Sequence, residues 1–268
     1  MKNLKKISII VFFLLAFGQM GWIGNGAYAQ KSYNLYMGMG LGIIDNYDAG
    51  TVPYHIEGLV QVQDWGMVYS WNRYQIEMDG RYAYSTLTTL SGNNRGLDLN
   101  LEFLYRCYDS ESDRFHYYTG ATWDAYGEIK SVPNLQNSAV STTLLSSLGS
   151  VNMVTYDFAA NKAKTHYWLT TYGKLNLPLV GFANRPGYAY TYDSQGMSLI
   201  EKFLVGHETF TKFFPGCNTD VGLWLNLKNN NRIGVNYRWD YLSTGKKDIW
   251  RYDNAYHTVS LTFMFNIK

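Results

Sequence analysis

The stretch LDLNLEFLYRC, residues 97–107, places Leu97, Leu99, Leu101, Phe103 and Tyr105 at every second position, with Asp98, Asn100, Glu102 and Arg106 between them. Successive side chains of a strand point to opposite sides, so this is a strand with one apolar face and one ionic face. The pattern recurs in NRIGVNYRWDYL, where Ile233, Val235, Tyr237, Trp239 and Tyr241 oppose Arg232, Asn236, Arg238 and Asp240. In YQIEMDGRYAY, Tyr74, Ile76, Met78, Tyr82 and Tyr84 oppose Gln75, Glu77, Asp79 and Arg81. The chain also ends on such a segment, HTVSLTFMFNIK, with Val259, Leu261, Phe263, Phe265 and Ile267 in phase. No helix satisfies a period of two. The chain is all-β.

Eleven segments pass this test: 33–44, 54–63, 67–88, 96–108, 114–127, 151–159, 164–182, 196–205, 218–228, 231–242 and 255–267. A single-chain membrane barrel has an even number of strands, with short turns on one side and longer loops on the other. A further short strand at ETFTKFF, 208–214, restores that rhythm. The expected count is twelve, with ten and fourteen as alternatives. Residues 128–150 read as a long loop, either a short helix over the lumen or an outer loop without helix, since Leu135, Ala139, Leu144, Leu145 and Leu148 have loosely helical spacing.

A secreted β-sandwich would also hide one face of each strand. Three features favour a transmembrane antiparallel up-and-down barrel. Several segments alternate for the roughly 9–11 residues that a tilted strand needs to cross a bilayer, whereas strands of globular domains cluster near five or six. Aromatic residues gather near strand ends, as Tyr and Trp do at membrane interfaces. The last strand carries Phe265 and Ile267 near the chain end, where a closing strand must pair with the first, YNLYMGMGLGII.

Residues 1–29 have the parts of a cleaved secretory signal: Lys2, Lys5 and Lys6, an apolar run from Ile7 to Phe17, and the exit Ala27-Tyr28-Ala29. Removing 29 of the 268 residues leaves a single domain, 30–268. The leader holds three of the 23 basic residues and none of the 21 acidic ones, so the mature chain is nearly neutral. A nucleic-acid partner would need a basic face, and none is expected. The two cysteines, Cys107 and Cys217, fall in separate strands and do not make a disulfide framework. Export and barrel together imply the bacterial outer membrane, with membrane lipids and lipopolysaccharide as partners and envelope proteins as further ones.

The segments LNLPLVGFANRPGYAY and SLIEKFLVGHE carry Pro178, Leu179, Gly181, Pro186, Gly187 and Tyr188, then Glu201, Phe203 and Gly206. This arrangement resembles a group of uncharacterised barrels from Gram-negative outer membranes, which have a "pl-G…P-gY" corner followed by an "E-x-F-x-x-G" strand. The resemblance spans residues 175–206 and implies a membrane barrel. The group has no established activity, so no catalytic residue is carried across.

The ionic face, turned inward, supplies Glu77, Asp79, Arg81, Glu102, Arg106, Arg114, His116, Glu128, Asp220, Arg232 and Arg238 as lumen residues. Both signs of charge are mixed. Structural ion pairs, which buried charges require, fit this better than a single-sign selectivity ring. His55, Glu57, Asp98, Asp124 and Asp240 are expected inward near the outer rim, where a carboxylate and a histidine could serve as general bases. No zinc-ligand spacing, nucleophile elbow or phosphate loop is present, so neither metal nor cofactor is expected. The expected function is a non-catalytic barrel, a narrow pore or a structural or accessory envelope component. The alternatives are a barrel hydrolase of lipid, lipopolysaccharide or surface peptide with a rim site, and a secreted binding module.

Overall fold

The computed structural model describes residues 31–49, 52–134, 140–160, 167–185, 207–212, 215–244 and 251–267. The leader at 1–29, the strand expected at 196–205, and the motif residues Pro186, Gly187, Tyr188, Glu201, Phe203 and Gly206 lie outside the described residues. Within them are eleven strands: β1 (Lys31–Asp48), β2 (Val52–Trp71), β3 (Tyr74–Leu87), β4 (Gly92–Asp109), β5 (Phe115–Ser131), β6 (Val140–Ala160), β7 (Tyr167–Arg185), β8 (His207–Lys212), β9 (Gly216–Asn226), β10 (Arg232–Ser243) and β11 (Tyr252–Ile267). All neighbours pair antiparallel, and the sheet closes where β1 meets β11, in register from Tyr33↔Ile267 to Asp48↔Tyr252. The closing strand pairs with YNLYMGMGLGII, which leaves no open edge at this seam.

Among the described residues the barrel closes with ten staves, the alternative count, and not with twelve. β8 and β9 both run antiparallel to β7 and share one edge of it, β8 against Val180–Arg185 and β9 against Leu169–Asn176. They are two halves of one stave. The break faces Pro178, which has no N–H to donate, and the β6–β7 register also shifts there, between Leu148↔Val180 and Gly149↔Pro178. The segment ETFTKFF therefore adds no crossing.

Two other expectations are corrected. The gap at 64–66 between the expected strands 54–63 and 67–88 is not a turn but the interior of β2, and the reversal falls inside 67–88, at Asn72-Arg73, with Asn72 at φ 55°. Asn tolerates the left-handed conformation that a two-residue hairpin turn demands. The long loop at 128–150 is mostly strand: β5 runs to Ser131 and β6 starts at Val140. Leu144 and Leu145, adjacent in β6, pair with Gly127 and Tyr126 and take opposite faces, so over Leu144–Leu148 the chain is a strand rich in Ser, while Leu135 and Ala139 lie outside the described residues.

The usual burial pattern is inverted. Val235, Leu261 and Leu99 are 52%, 47% and 41% exposed, while Glu102 is 1% exposed and Asn100 is buried. An exposed apolar belt around a polar interior is stable when the surrounding phase is hydrocarbon. Below, the base is the end where β1 begins and β11 finishes, and the top is the opposite end.

Candidate functional site: the lumen

Three layers fill the interior. The top layer is an apolar plug with a polar centre. Ile44, Ile56, Val60, Leu87 and Val132 are buried there, packed with Tyr126, Tyr252 and Tyr256. Glu128, with 1% of its surface exposed, accepts hydrogen bonds on Oε2 from Tyr126 (2.6 Å), Tyr252 (2.8 Å) and Asn94 (2.9 Å). Lys130 donates to Asn46 Oδ1 at 2.8 Å and to Asp48 Oδ2 at 2.9 Å. Arg185 also pairs with Asp48 and lies over the Tyr252 ring, 4.9 Å from its centroid. Each ion has a partner, as burial requires.

The middle layer is a belt of carboxylates. Arg81 donates to Asp64 at 2.6 Å and Asp240 at 3.0 Å, and Arg238 donates to Asp240 at 2.7 Å and Asp98 at 2.8 Å. Asp124 accepts from Asn100. Lys174 donates to Glu77 at 2.9 Å and Glu102 at 3.0 Å, and its Nζ lies 3.7 Å from Asp79. Tyr172 donates to Asp220 Oδ1 at 2.9 Å.

The basal layer is open. A cavity of about 340 Å³ is lined by ionic groups such as Asp157, Arg232 and Lys174 and by Trp224, Met153 and Met264. His116 Nδ1 lies 2.7 Å from Asp109 and its Nε2 3.8 Å from Asp157, while Arg106 Nε is 3.3 Å from Asp109. Arg114 sits half-buried just before β5.

Glu77, Asp79, Arg81, Glu102, His116, Glu128, Asp220, Arg232 and Arg238 thus line the interior, with Arg106 at its base rim. Of the rim candidates, Asp98, Asp124 and Asp240 face inward into the belt. His55 and Glu57 do not. Both are exposed, in phase with the outward Leu59 and Trp65, and His55 Nδ1 pairs with the exposed Asp45 at 2.8 Å. The expected rim cluster is split across the barrel wall. The cause is the plug: in upper β2 the apolar residues Ile56, Val60 and Val62 are buried inside, while Gln61 and Gln63 are exposed outside.

Sequence reasoning missed Asp48, Asp64, Lys130, Lys174 and Arg185. Lys174 was visible in the alternation of Tyr172, Lys174 and Asn176 with Gly173, Leu175 and Leu177. Asp64 and Lys130 were hidden by the misplaced turn and loop. Cys107 and Cys217 are both free thiols.

A closed antiparallel barrel with an ionic interior and an apolar exterior is the architecture of outer-membrane proteins. The structure is similar to the outer membrane protease OmpT from Escherichia coli, with a TM-score of 0.51 at 8% identity, covering 91% of this chain and 99% of that one. Two further similar structures are the translocator domain of the autotransporter NalP from Neisseria meningitidis (TM-score 0.39, 12% identity, 98% of each chain) and Neisserial surface protein A (0.33, 12%, 88% and 99%). No family model matches the chain, and no curated protein matches it. At such identity the likeness to OmpT concerns the fold alone.

Proposed function

We propose that this chain is an exported bacterial outer-membrane barrel, closed to solute flow, that serves as a structural or accessory component of the envelope. Its base and basal cavity face the periplasm and its top faces outward, surrounded by membrane lipid and lipopolysaccharide. One observation carries the reading: Tyr252, Lys130 and Glu128 are 0%, 1% and 1% exposed at the top of the lumen, where Tyr252 bonds Glu128 and Lys130 bonds Asp48. A water-filled path there would wet these groups. Asp98 and Asp240 are held in ion pairs and Asp124 by an amide, which favours a structural role for them over general-base chemistry.

The test is planar-bilayer conductance of the protein extracted in detergent, with heat-dependent gel migration to establish that the barrel is folded. The expected result is a folded barrel with no single-channel steps. Regular steps from the unmodified protein would sink the plug and favour a pore.

A further inference from the structure

Below the plug lies a second, much smaller cavity of about 10 Å³, which a single atom-sized occupant would fill. It is bordered by Asp79, Glu102 and Asp220, by Asn100, Asn176 and Asn218, and by Thr219, Lys174 and Arg238. The side-chain oxygens of all three asparagines are buried and accept no hydrogen bond, although the residues are only 5%, 4% and 8% exposed. Buried acceptors of this kind are normally satisfied; Asn94 and Asn254 each leave one in the plug, but here three gather around one cavity.

The neighbouring carboxylates of Asp79 and Asp220, which also border the basal cavity, have lone pairs to spare. Asp220 accepts from Tyr172 and Asn236 on Oδ1 alone. Asp79 has only Lys174, at 3.7 Å, beyond hydrogen-bonding distance. Lys174 stands against the triad of Glu77, Asp79 and Glu102, whose oxygens lie within 4.8 Å of one another, and it donates to the two glutamates. Around the belt, the carboxylates of Asp64, Glu77, Asp79, Asp98, Glu102, Asp124, Asp220 and Asp240 outnumber the cations Arg81, Lys174 and Arg238.

The geometry points to a binding site for a hard divalent cation of calcium's kind at this cavity. Every unsatisfied group is an oxygen acceptor. A single water has two protons to donate and cannot serve the three asparagine oxygens together, whereas calcium takes six to eight oxygen ligands from carboxylates and amide carbonyls in flexible geometry. The cation also reduces the negative excess that Lys174 and Arg238 leave. Asp79, Lys174, Asp220 and Arg238 border the basal cavity as well, so the ion has a route from the base. The site needs only the inward-facing belt and stands whether or not the barrel conducts.

The experiment is calorimetric titration of calcium chloride into the full-length protein, folded in detergent without lipopolysaccharide and stripped of metal on a chelating resin. One saturable calcium per chain is expected. Asp220→Asn and Asn218→Ala should each weaken binding at least tenfold while retaining the gel shift of a folded barrel. Asp113→Asn, in the separate cluster of Asp109, Asp113 and His116, should leave it unchanged. No saturable binding by the unmodified protein overturns the site and assigns the cavity to water. Unchanged affinity in both belt variants, or loss in Asp113→Asn, overturns it equally. If Asp220→Asn fails to fold, Asn218→Ala decides.

Discussion

Lys130 Nζ on β5 donates to Asp48 Oδ2 on β1 at 2.9 Å, and both side chains are 1% exposed. Residues on separate staves are thus tied across the top of the lumen. Removing one partner of a buried pair leaves an uncompensated charge, at a cost of about 3–5 kcal/mol. Lys130→Met leaves Asp48 with Arg185 and is expected near the lower end of that range. Asp48→Ala deprives both Lys130 and Arg185 of their shared carboxylate and should cost more. Urea unfolding in micelles, followed by tryptophan fluorescence, gives the order of the two; equal or negligible losses contradict the plug.

If aromatic packing keeps the top closed, removing it should open the barrel. Tyr126 and Tyr256 contact through their hydroxyls at 2.9 Å, and Tyr252 joins them on Glu128. The triple change of Tyr126, Tyr252 and Tyr256 to Ala is expected to produce single-channel steps where the unmodified protein gives none. A silent but folded triple variant would place the closure elsewhere.

The outward belt predicts opposite signs for two substitutions in the strands that flank β1. Leu261 and Gln63 both pair with Met39. Leu261→Arg places a charge among lipid chains and should cost about 2–4 kcal/mol if near the bilayer midplane. Gln63→Leu replaces an exposed amide on the same surface and should raise stability. Unfolding from lipid vesicles measures both. A soluble, unaffected Leu261→Arg protein would mean that no lipid surrounds this strand.

The β1–β11 seam depends on close approach at Gly40. A Cβ there would meet Ser260 Oγ, the Val259 carbonyl oxygen and Val62. Gly40→Val should therefore abolish most of the heat-dependent gel shift. At Gly127 a Cβ meets nothing within 4 Å, so Gly127→Ala should fold normally. Gel migration of unheated samples compares them directly.

Much of the middle belt was legible from strand phase alone: Glu77, Asp79, Arg81, Asp98, Glu102, Arg238 and Asp240 alternate with apolar neighbours. The top was not. Ile56, Val60 and Val62 have the same chemistry as lipid-facing residues, yet they are buried in the plug, which sends His55 and Glu57 to the outside. An alternating strand has two faces, and when both meet apolar surroundings hydrophobicity no longer tells them apart.

By itself the sequence determined that the chain forms long antiparallel strands with one ionic and one apolar face, because side-chain period is a local property of the backbone. Only the tertiary structure decided that the described residues close into ten staves, that β8 and β9 share one of them across from Pro178, and that Glu128, Lys130 and Tyr252 are buried at the top of the lumen. Those outcomes depend on contacts between residues far apart in the chain, such as Lys130 with Asp48 and Glu128 with Tyr252, which no local pattern records.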